Sequence, residues 1–452
     1  MNPVPEEVAD ILVVGAGMCG SAAARHLKES RPALTVWLVG PEEEEARCTE
    51  AFSQHADEGR IARQLDPDPV WAVLAARSMS NYAALEEASG ISFHHPVGFL
   101  AIGHASGPYV QRTAAVAEAQ SMPLRGPLDA ASLRSEFPFL DIEDENVGLL
   151  EEGKHGGAGL ISPRALVRAQ CLLFERAGGR IIREAVKRID NEEPPSGTLQ
   201  EMPCLHAALH SGTVLRAKRV LVAAGALTSW KPLLPCGQCH ARLATSVVTQ
   251  EVVRIAVSDE DRSLLSSMPC IVCKFGSADF GKATTFDSCY ILPPIEYPAD
   301  QADPDRPRHY LKIGHGTWFE RRLPNLEAAQ AWMRGESEAG SRDGVTAREA
   351  LQGMLGGIIP GILARASHVV VDRCMWDTTP TMRPYVDMLP GGLVGFCAGG
   401  NGFAAKSSDE LGRVAALMML AALEGADWTY DIPRDTFKAI FEDSMGASVC
   451  SP

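Results

Sequence analysis

The stretch DILVVGAGMCGSAAARHL, Asp10 to Leu27, decides the fold of this chain. Ile11 to Val14 is a short aliphatic run, the pattern of a strand buried on both faces. Glycines follow at Gly15, Gly17 and Gly20, and Ser21 to Leu27 opens an alanine-rich helix. In this context each glycine has its own task. Gly15 permits the tight turn, Gly17 lets a pyrophosphate approach the backbone, and Gly20 lets the helix close on the sheet. The unpaired N–H groups and positive dipole end of the helix then face the phosphates. LTVWLVG, Leu34 to Gly40, reads as a second strand and completes a βαβ unit. A ribose-binding carboxylate is expected at the end of that strand. Gly40 stands there, and Glu42, the first carboxylate after it, is the candidate. The motif alone serves nicotinamide and flavin dinucleotides equally.

With 452 residues the chain has material for two or three domains, and its 46% hydrophobic and 22% charged content is that of a globular protein. The net charge of −15 disfavours nucleic acid and anionic membrane as partners. No run reaches the ~18 apolar residues of a membrane span. The acidic N-terminus lacks a basic signal region, and the C-terminus does not end in Ser-Lys-Leu, so a cytoplasmic location is expected. Among the 12 cysteines, Cys236-x-x-Cys239-His240 has the spacing of a haem attachment, and Cys270-x-x-Cys273 joins it to imitate a zinc site. Haem attachment requires export; in a reducing compartment most of these cysteines are expected as free thiols.

Further along, ISPRALVRAQCLLFERAGGR (Ile161–Arg180) is a marked helix, with Ser162 as N-cap, Pro163 first and Gly178 as the stop. RIIREAVKRID reads as a strand, followed by a turn-rich patch at Glu192–Thr198. Ala217–Leu227 is another buried strand. Between Pro235 and Ile359 alternating segments such as ATSVVTQEVVRIAV suggest antiparallel strands, and Pro298–Arg308 suggests an exposed loop. GGLVGFCAGG is a strand, and Phe403–Leu423 an Ala/Leu-rich helix. The expected fold is α/β. A doubly wound Rossmann-type domain (1–90, 151–230 and 365–452) is interrupted by an antiparallel-sheet α+β domain (91–150 and 231–364).

Five segments carry a more specific signal: SQHADEGRIARQLD (Ser53–Asp66); RVLVAAGALTSW with EAVKRID before it; HYLKIGHGTW (His309–Trp318) with CYILPP upstream; RCMWDTTPTMRPYVD (Arg373–Asp387); and CAGGNGFAAKSSDELG (Cys397–Gly412). Together they resemble the amino-acid-oxidase superfamily of FAD enzymes, and within it the group of monomeric sarcosine oxidase and N-methyltryptophan oxidase. The resemblance implies FAD as cofactor and gives roles to matching positions. His55 matches a loop histidine, and Arg60 and Arg63 match arginines near the flavin ring and the substrate carboxylate. Val186 matches the position whose backbone meets the adenine, and Gly225 the glycine whose backbone approaches the dinucleotide. Lys312 matches the lysine beside the flavin where oxygen reacts, and Tyr290 an active-site tyrosine. Cys374 matches the cysteine that carries flavin covalently, and Trp376 lines the substrate pocket. Arg383 matches a carboxylate-binding arginine of related glycine and D-amino-acid oxidases, whose fork suits two oxygens. Gly400, Asn401, Gly402 and Phe403 form the turn before a helix whose N-terminus faces the flavin. One position departs from the pattern. Ala404 replaces the group's carboxylate-binding lysine, and Lys406, two residues on, is expected to point elsewhere, leaving Arg383 or Arg63 to compensate.

The implied reaction is oxidation of the C–N bond of a small secondary or cyclic amine or amino acid to an imine, with O2 reoxidising the flavin to give H2O2. The alternative within the fold is an FAD-dependent amino-acid or 2-hydroxy-acid dehydrogenase that passes electrons to a quinone or carrier protein. A nicotinamide enzyme has no use for Cys374 and GGNGF, and a flavin-binding redox sensor none for Arg60, Arg63 and Lys312.

Overall fold

The computed structural model describes residues 7–43, 54–191, 204–236, 239–275, 288–298, 306–342 and 344–442. The expected patch at 192–198 and most of the expected loop at 298–308 lie outside them. The chain begins with β1 (Val8–Val14), α1 (Met18–Ser30), β2 (Val36–Val39), β3 (Arg60–Ala62), α2 (Pro69–Ser89), β4 (Phe99–His104) and α3 (Pro108–Ala119). β5 (Asn146–Glu151), α4 (Pro163–Arg176), β6 (Arg180–Ile182), β7 (Val186–Asn191), β8 (Leu205–Leu209) and β9 (Val214–Val222) follow. Then come β10 (Ser246–Ala256), β11 (Cys270–Lys274), β12 (Ser288–Glu296), β13 (His309–His315), α5 (Ala347–Ile358), β14 (Val369–Thr378), β15 (Tyr385–Met388), β16 (Val394–Ala398) and α6 (Ser408–Glu424).

Eight strands form the first sheet. β6, β2, β1 and β9 lie side by side and parallel, and β16 joins the far edge of β9, also parallel. Both faces are covered, which is why these strands read as unbroken apolar runs. Ile11, Val13, Val36 and Leu38 face α1, α4 and α6. Leu12, Val14, Trp37 and Val39 face the opposite way, toward Leu233, Leu234 and Tyr385. Gly412 of α6 meets α1 so closely that a Cβ there would lie 2.5 Å from the Cβ of Ala22. The segment RIIREAVKRID is two strands, not one. β6 runs parallel to β2, the chain turns at Glu184, and β7 pairs antiparallel with β8 at the opposite side of the sheet.

The nine-stranded second sheet is mostly antiparallel, with β14, β10, β13, β12, β11, β4 and β5 in sequence across it. Its far face packs on α5 through Val253, Ile255, Ile291, Ile313, Leu351 and Met354. Its near face turns toward the first sheet. β14 falls in the 365–452 segment expected of the first domain, yet ten of its residues pair with β10 in the second sheet, so the two sheets meet at this strand.

Candidate active site

The glycine turn has the geometry its sequence requires. Gly15 has φ +109°, and a Cβ on it would stand 2.3 Å from the Ala223 carbonyl oxygen. At Gly20 a Cβ would lie 1.8 Å from the Gly15 carbonyl oxygen, so only hydrogen fits between turn and helix. Gly17 is the N-cap of α1, without a side-chain cap and with no acidic residue in the first turn, which leaves helix N–H groups for an anion. The groove of about 180 Å³ beside it is lined by Gly15, Gly17, His55, Val186, Gly225 and Gly400, among others. Burial pushes the His55 imidazole down to about 4, so this ring is neutral at pH 7. Glu42 is not in the groove. β2 ends at Val39, Gly40-Pro41 turns the chain outward, and the exposed Glu42 carboxylate lies 3.7 Å from Arg183. Its neighbour Glu43 lines the groove and pairs with Arg164 at 2.7 Å.

The groove opens into a cavity of about 1900 Å³, and Met18, Gln54, Asp377 and Gly400 belong to the walls of both. The site is therefore one elongated space, from the glycine cradle to the near face of the second sheet. Strand register brings the expected residues together there. Lys312 opposes Arg254, Cys374 opposes Gln250, and Tyr290 opposes Gly314, all pointing to the cavity side. A Cβ at Gly314 would stand 2.3 Å from the Tyr290 ring, so glycine gives the tyrosine its place. Burial raises the Tyr290 phenol to about 12. Lys312 is 1% exposed; burial, then Arg60, holds its ammonium well below the usual lysine range. The ammonium is ion-paired with Asp57 and donates to the Gly59 carbonyl at 3.1 Å. Gln54 reaches across to the Met375 carbonyl at 2.9 Å and ties the same loop to β14 beside Cys374.

At the other end, Arg63 stacks over Phe99 at 4.9 Å and pairs with Asp66 at 3.2 Å. Lys406 was expected to point elsewhere. The structure turns it into the cavity wall, 2.5 Å from Asp66 and 3% exposed. The physical reason is that Ala404–Ser407 is a 3₁₀ turn and α6 begins only at Ser408, so α-helical register does not apply to Lys406. Burial and the neighbouring Arg63 lower its ammonium to about 8. Arg383 does not reach the cavity. The turn between β14 and β15 carries it outward, where Asp68, the N-cap of α2, takes its guanidinium at 2.9 Å. Trp376, Gly402 and Phe403 line the cavity, and a Cβ at Gly402 would touch the Trp376 ring at 3.2 Å.

Sequence reading missed four carboxylates that organise this site: Asp57, Asp66, Glu151 and Asp377. Glu151 accepts from the Gln64 and Leu65 N–H groups, each at 2.9 Å, behind Arg63. Asp377 accepts from Gly399 N–H at 2.7 Å and Gly400 N–H at 3.2 Å. Fully buried Asn401 completes the turn at φ +50°, with its carboxamide oxygen receiving Thr379 N–H at 2.8 Å. The available signal was acidic residues flanking Arg60-Ile-Ala-Arg63 and following Trp376, too common a pattern to single out. The cysteine pairs show no metal site: Cys270 and Cys273 are free thiols, and no group of three His, Cys, Asp or Glu among the described residues could hold a metal.

A glycine-cradled groove, running into a cavity with a cationic wall, defines a dinucleotide-dependent oxidoreductase. A family model described as DAO, FAD dependent oxidoreductase, matches residues 10–416, and the chain belongs to this family. Over 175 residues it is 31% identical to the monomeric sarcosine oxidase of Streptomyces avermitilis; the match spans 38% of this chain and 42% of that enzyme's length. Among solved structures it is similar to NikD, an unusual amino acid oxidase essential for nikkomycin biosynthesis, in its open form, with TM-score 0.69 and 18% identity over 96% of this chain and 98% of that one. It also resembles the glycine oxidase of Geobacillus kaustophilus (TM-score 0.64, 17% identity, 96% and 98% covered) and the L-proline dehydrogenase of P. horikoshii (0.64, 15%, 96% and 97%). At these identities the structural neighbours share the fold. No helix among the described residues is long and apolar enough to cross a membrane.

Proposed function

We propose that this protein oxidises the C–N bond of a small secondary or cyclic amine or amino acid, with O2 as the electron acceptor and H2O2 as product. The cradle and groove would hold FAD, with Gly15, Gly17 and Gly20 at the pyrophosphate and His55, Val186 and Gly225 lining the same groove. Bound FAD supplies the hydride acceptor. The observation that carries the reading is Lys312, a buried lysine paired with Asp57 in the sheet wall beside Tyr290 and Cys374. A fixed positive charge in a site shielded from water stabilises the negative charge that develops on oxygen as it is reduced. Cys374, a free, half-buried thiol on the cavity wall, is the proposed covalent attachment point for flavin. Arg63 and Lys406 hold the substrate carboxylate, and Tyr290 and Trp376 shape the pocket around the amine. No dedicated base is required when the amine binds neutral. The sarcosine-oxidase relative and the NikD and glycine-oxidase neighbours are amine or amino-acid oxidases, which agrees with this class. Among the described residues nine cysteines are outside disulfides, as a reducing, cytoplasmic compartment would leave them, whereas Cys236 is disulfide-bonded.

The dehydrogenase reading draws on the likeness to the L-proline dehydrogenase of P. horikoshii. Purified protein decides between the two. Peroxide released from a panel of N-methyl and cyclic amino acids supports the oxidase. Substrate that bleaches the flavin anaerobically, with air restoring it no faster than air oxidises free reduced flavin, supports the dehydrogenase. Acid precipitation tests the linkage: colour retained in the pellet supports Cys374, and colour in the supernatant removes it.

A further inference from the structure

Lys312 is held from outside its own strand. The Asp57 carboxylate accepts from four donors: the Lys312 ammonium and the Arg60 guanidinium on Oδ2, and on Oδ1 the Tyr297 hydroxyl at 3.2 Å and the Glu58 N–H at 2.8 Å. Two residues on, Gly59 offers its carbonyl to the same ammonium at 3.1 Å. The loop that carries both acceptors is pressed onto β12. A Cβ at Gly59 would stand 2.3 Å from Ile295 Cδ1 and 3.0 Å from Leu292 Cδ1, so the loop sits at one height above the sheet. An ammonium has three N–H donors. Two are spent on this loop, and the third is left for the cavity that Lys312 lines.

We propose that Asp57 is a positioning residue, which fixes the Lys312 ammonium at the cavity wall and preserves its charge. The need for it follows from the groups around Lys312. Burial and the Arg60 and Arg254 guanidiniums work against the charged form, while Asp372 and Cys374 on β14 favour it. Tyr290 on β12, Tyr297 just past its end and Tyr310 on β13 complete the cavity wall there. Asp372 has a cation of its own. It pairs with Arg254 at 2.9 Å, and Arg254 lies over the rings of Tyr297 at 4.2 Å and Tyr310 at 5.1 Å. Asp57 is the carboxylate in direct contact with Lys312. Its removal leaves Lys312 and Arg60 as two neighbouring like charges with no anion between them, and the ammonium is the one of the two that can shed a proton.

The role in oxygen reduction rests on the oxidase reading, but the link between Asp57 and Lys312 does not, and the test separates them. The first readout is the pH at which acetic anhydride acylates Lys312 in the full-length protein as purified, followed by peptide mass spectrometry. In Asp57→Asn the midpoint is expected to fall by about one to three pH units. An unchanged midpoint overturns the proposal. The second readout is the rate of flavin reoxidation by O2 in stopped flow. It is expected to drop about 100-fold in Asp57→Asn, with the rate of flavin reduction by substrate little changed. Equal losses in both half-reactions overturn the positioning role. Asp57→Glu keeps the charge and lengthens the arm, and serves also if the amide variant does not fold. Its labelling midpoint is expected near that of the unaltered protein and its reoxidation about 10-fold slower, whereas a midpoint as low as about two units down, or an unaltered rate, overturns the proposal. Should the unaltered protein react with O2 no faster than free flavin, the oxidase reading fails and the labelling result still stands.

Discussion

Lys312 and Lys406 are both buried lysines of the cavity wall, and their surroundings give them different tasks. Lys312 sits between sheet and loop, buried at the cavity wall and held by Asp57 and the Gly59 carbonyl. Lys312→Met is expected to slow reoxidation by O2 roughly 100-fold while leaving reduction by substrate within a few-fold, measured as separate half-reactions in stopped flow. Equal slowing of both would remove Lys312 from its assigned place. Lys406 shares Asp66 with Arg63 and loses its proton at about pH 8. A carboxylate inhibitor without an amine should therefore bind progressively more weakly as pH rises through about 8, and Lys406→Met should flatten that profile and weaken binding at pH 7 about 10-fold. The sequence disclosed the identities of Arg60, Arg63, Tyr290, Lys312, Cys374 and Trp376, and the structure gathers all six on one cavity. It did not disclose direction where the chain turns. Glu42 and Arg383 have the right chemistry, but each sits on a turn that carries it outward, and Lys406 sits on one that carries it inward. Those turns depend on contacts with Arg183, Asp68 and Asp66, which no local pattern contains.

The βαβ unit and α4 were legible because their signals are local. Ser162 caps α4 by accepting Ala165 N–H at 3.2 Å, Pro163 opens it, and Gly178 at φ +84° follows its end. Ser162→Ala is expected to cost about 1 kcal/mol in urea unfolding. Its hydroxyl also donates to Glu58 at 2.9 Å, so the same change loosens the loop before Arg60. The close contact between α1 and α6 was not legible, since Gly412 reads as an ordinary helix glycine. Gly412→Val places carbon where Ala22 and the Ala23 backbone already stand, and a loss of about 3 kcal/mol or more is expected in urea unfolding. RIIREAVKRID shows the limit of apolar pattern. Both halves have strand character, and only the partners available, β2 for one and β8 for the other, divide them.

The two-sheet architecture followed from the alternation of segment types along the chain, but the strand that joins the sheets did not. Its sequence continues the α/β pattern of the C-terminal third, and its partner β10 lies over a hundred residues earlier. Burial of neutral histidines sets an acid limit for the whole molecule. His315 receives Glu251 N–H on Nε2 at 3.0 Å and donates from Nδ1 to the Gly316 carbonyl, and burial lowers it to about 4. Between about pH 6.5 and 4 the unfolded chain binds more protons at this position than the folded one, so stability falls as pH is lowered through that window. The contribution is on the order of 3 kcal/mol by pH 4, and His315→Gln should reduce the slope of melting temperature against pH between 6 and 4.5 while lowering its value at pH 7.

Asp377 closes β14, a strand of the second sheet, yet its carboxylate grips the backbone of Gly399 and Gly400, where the first sheet ends. The side chain works as a rivet through both plates of the molecule. Pulling the plates apart would strand a buried acid and two amides at once. A nick within 369–378 should therefore leave the two fragments clasped under native conditions, and neither half should persist as a folded piece once denaturant has separated them.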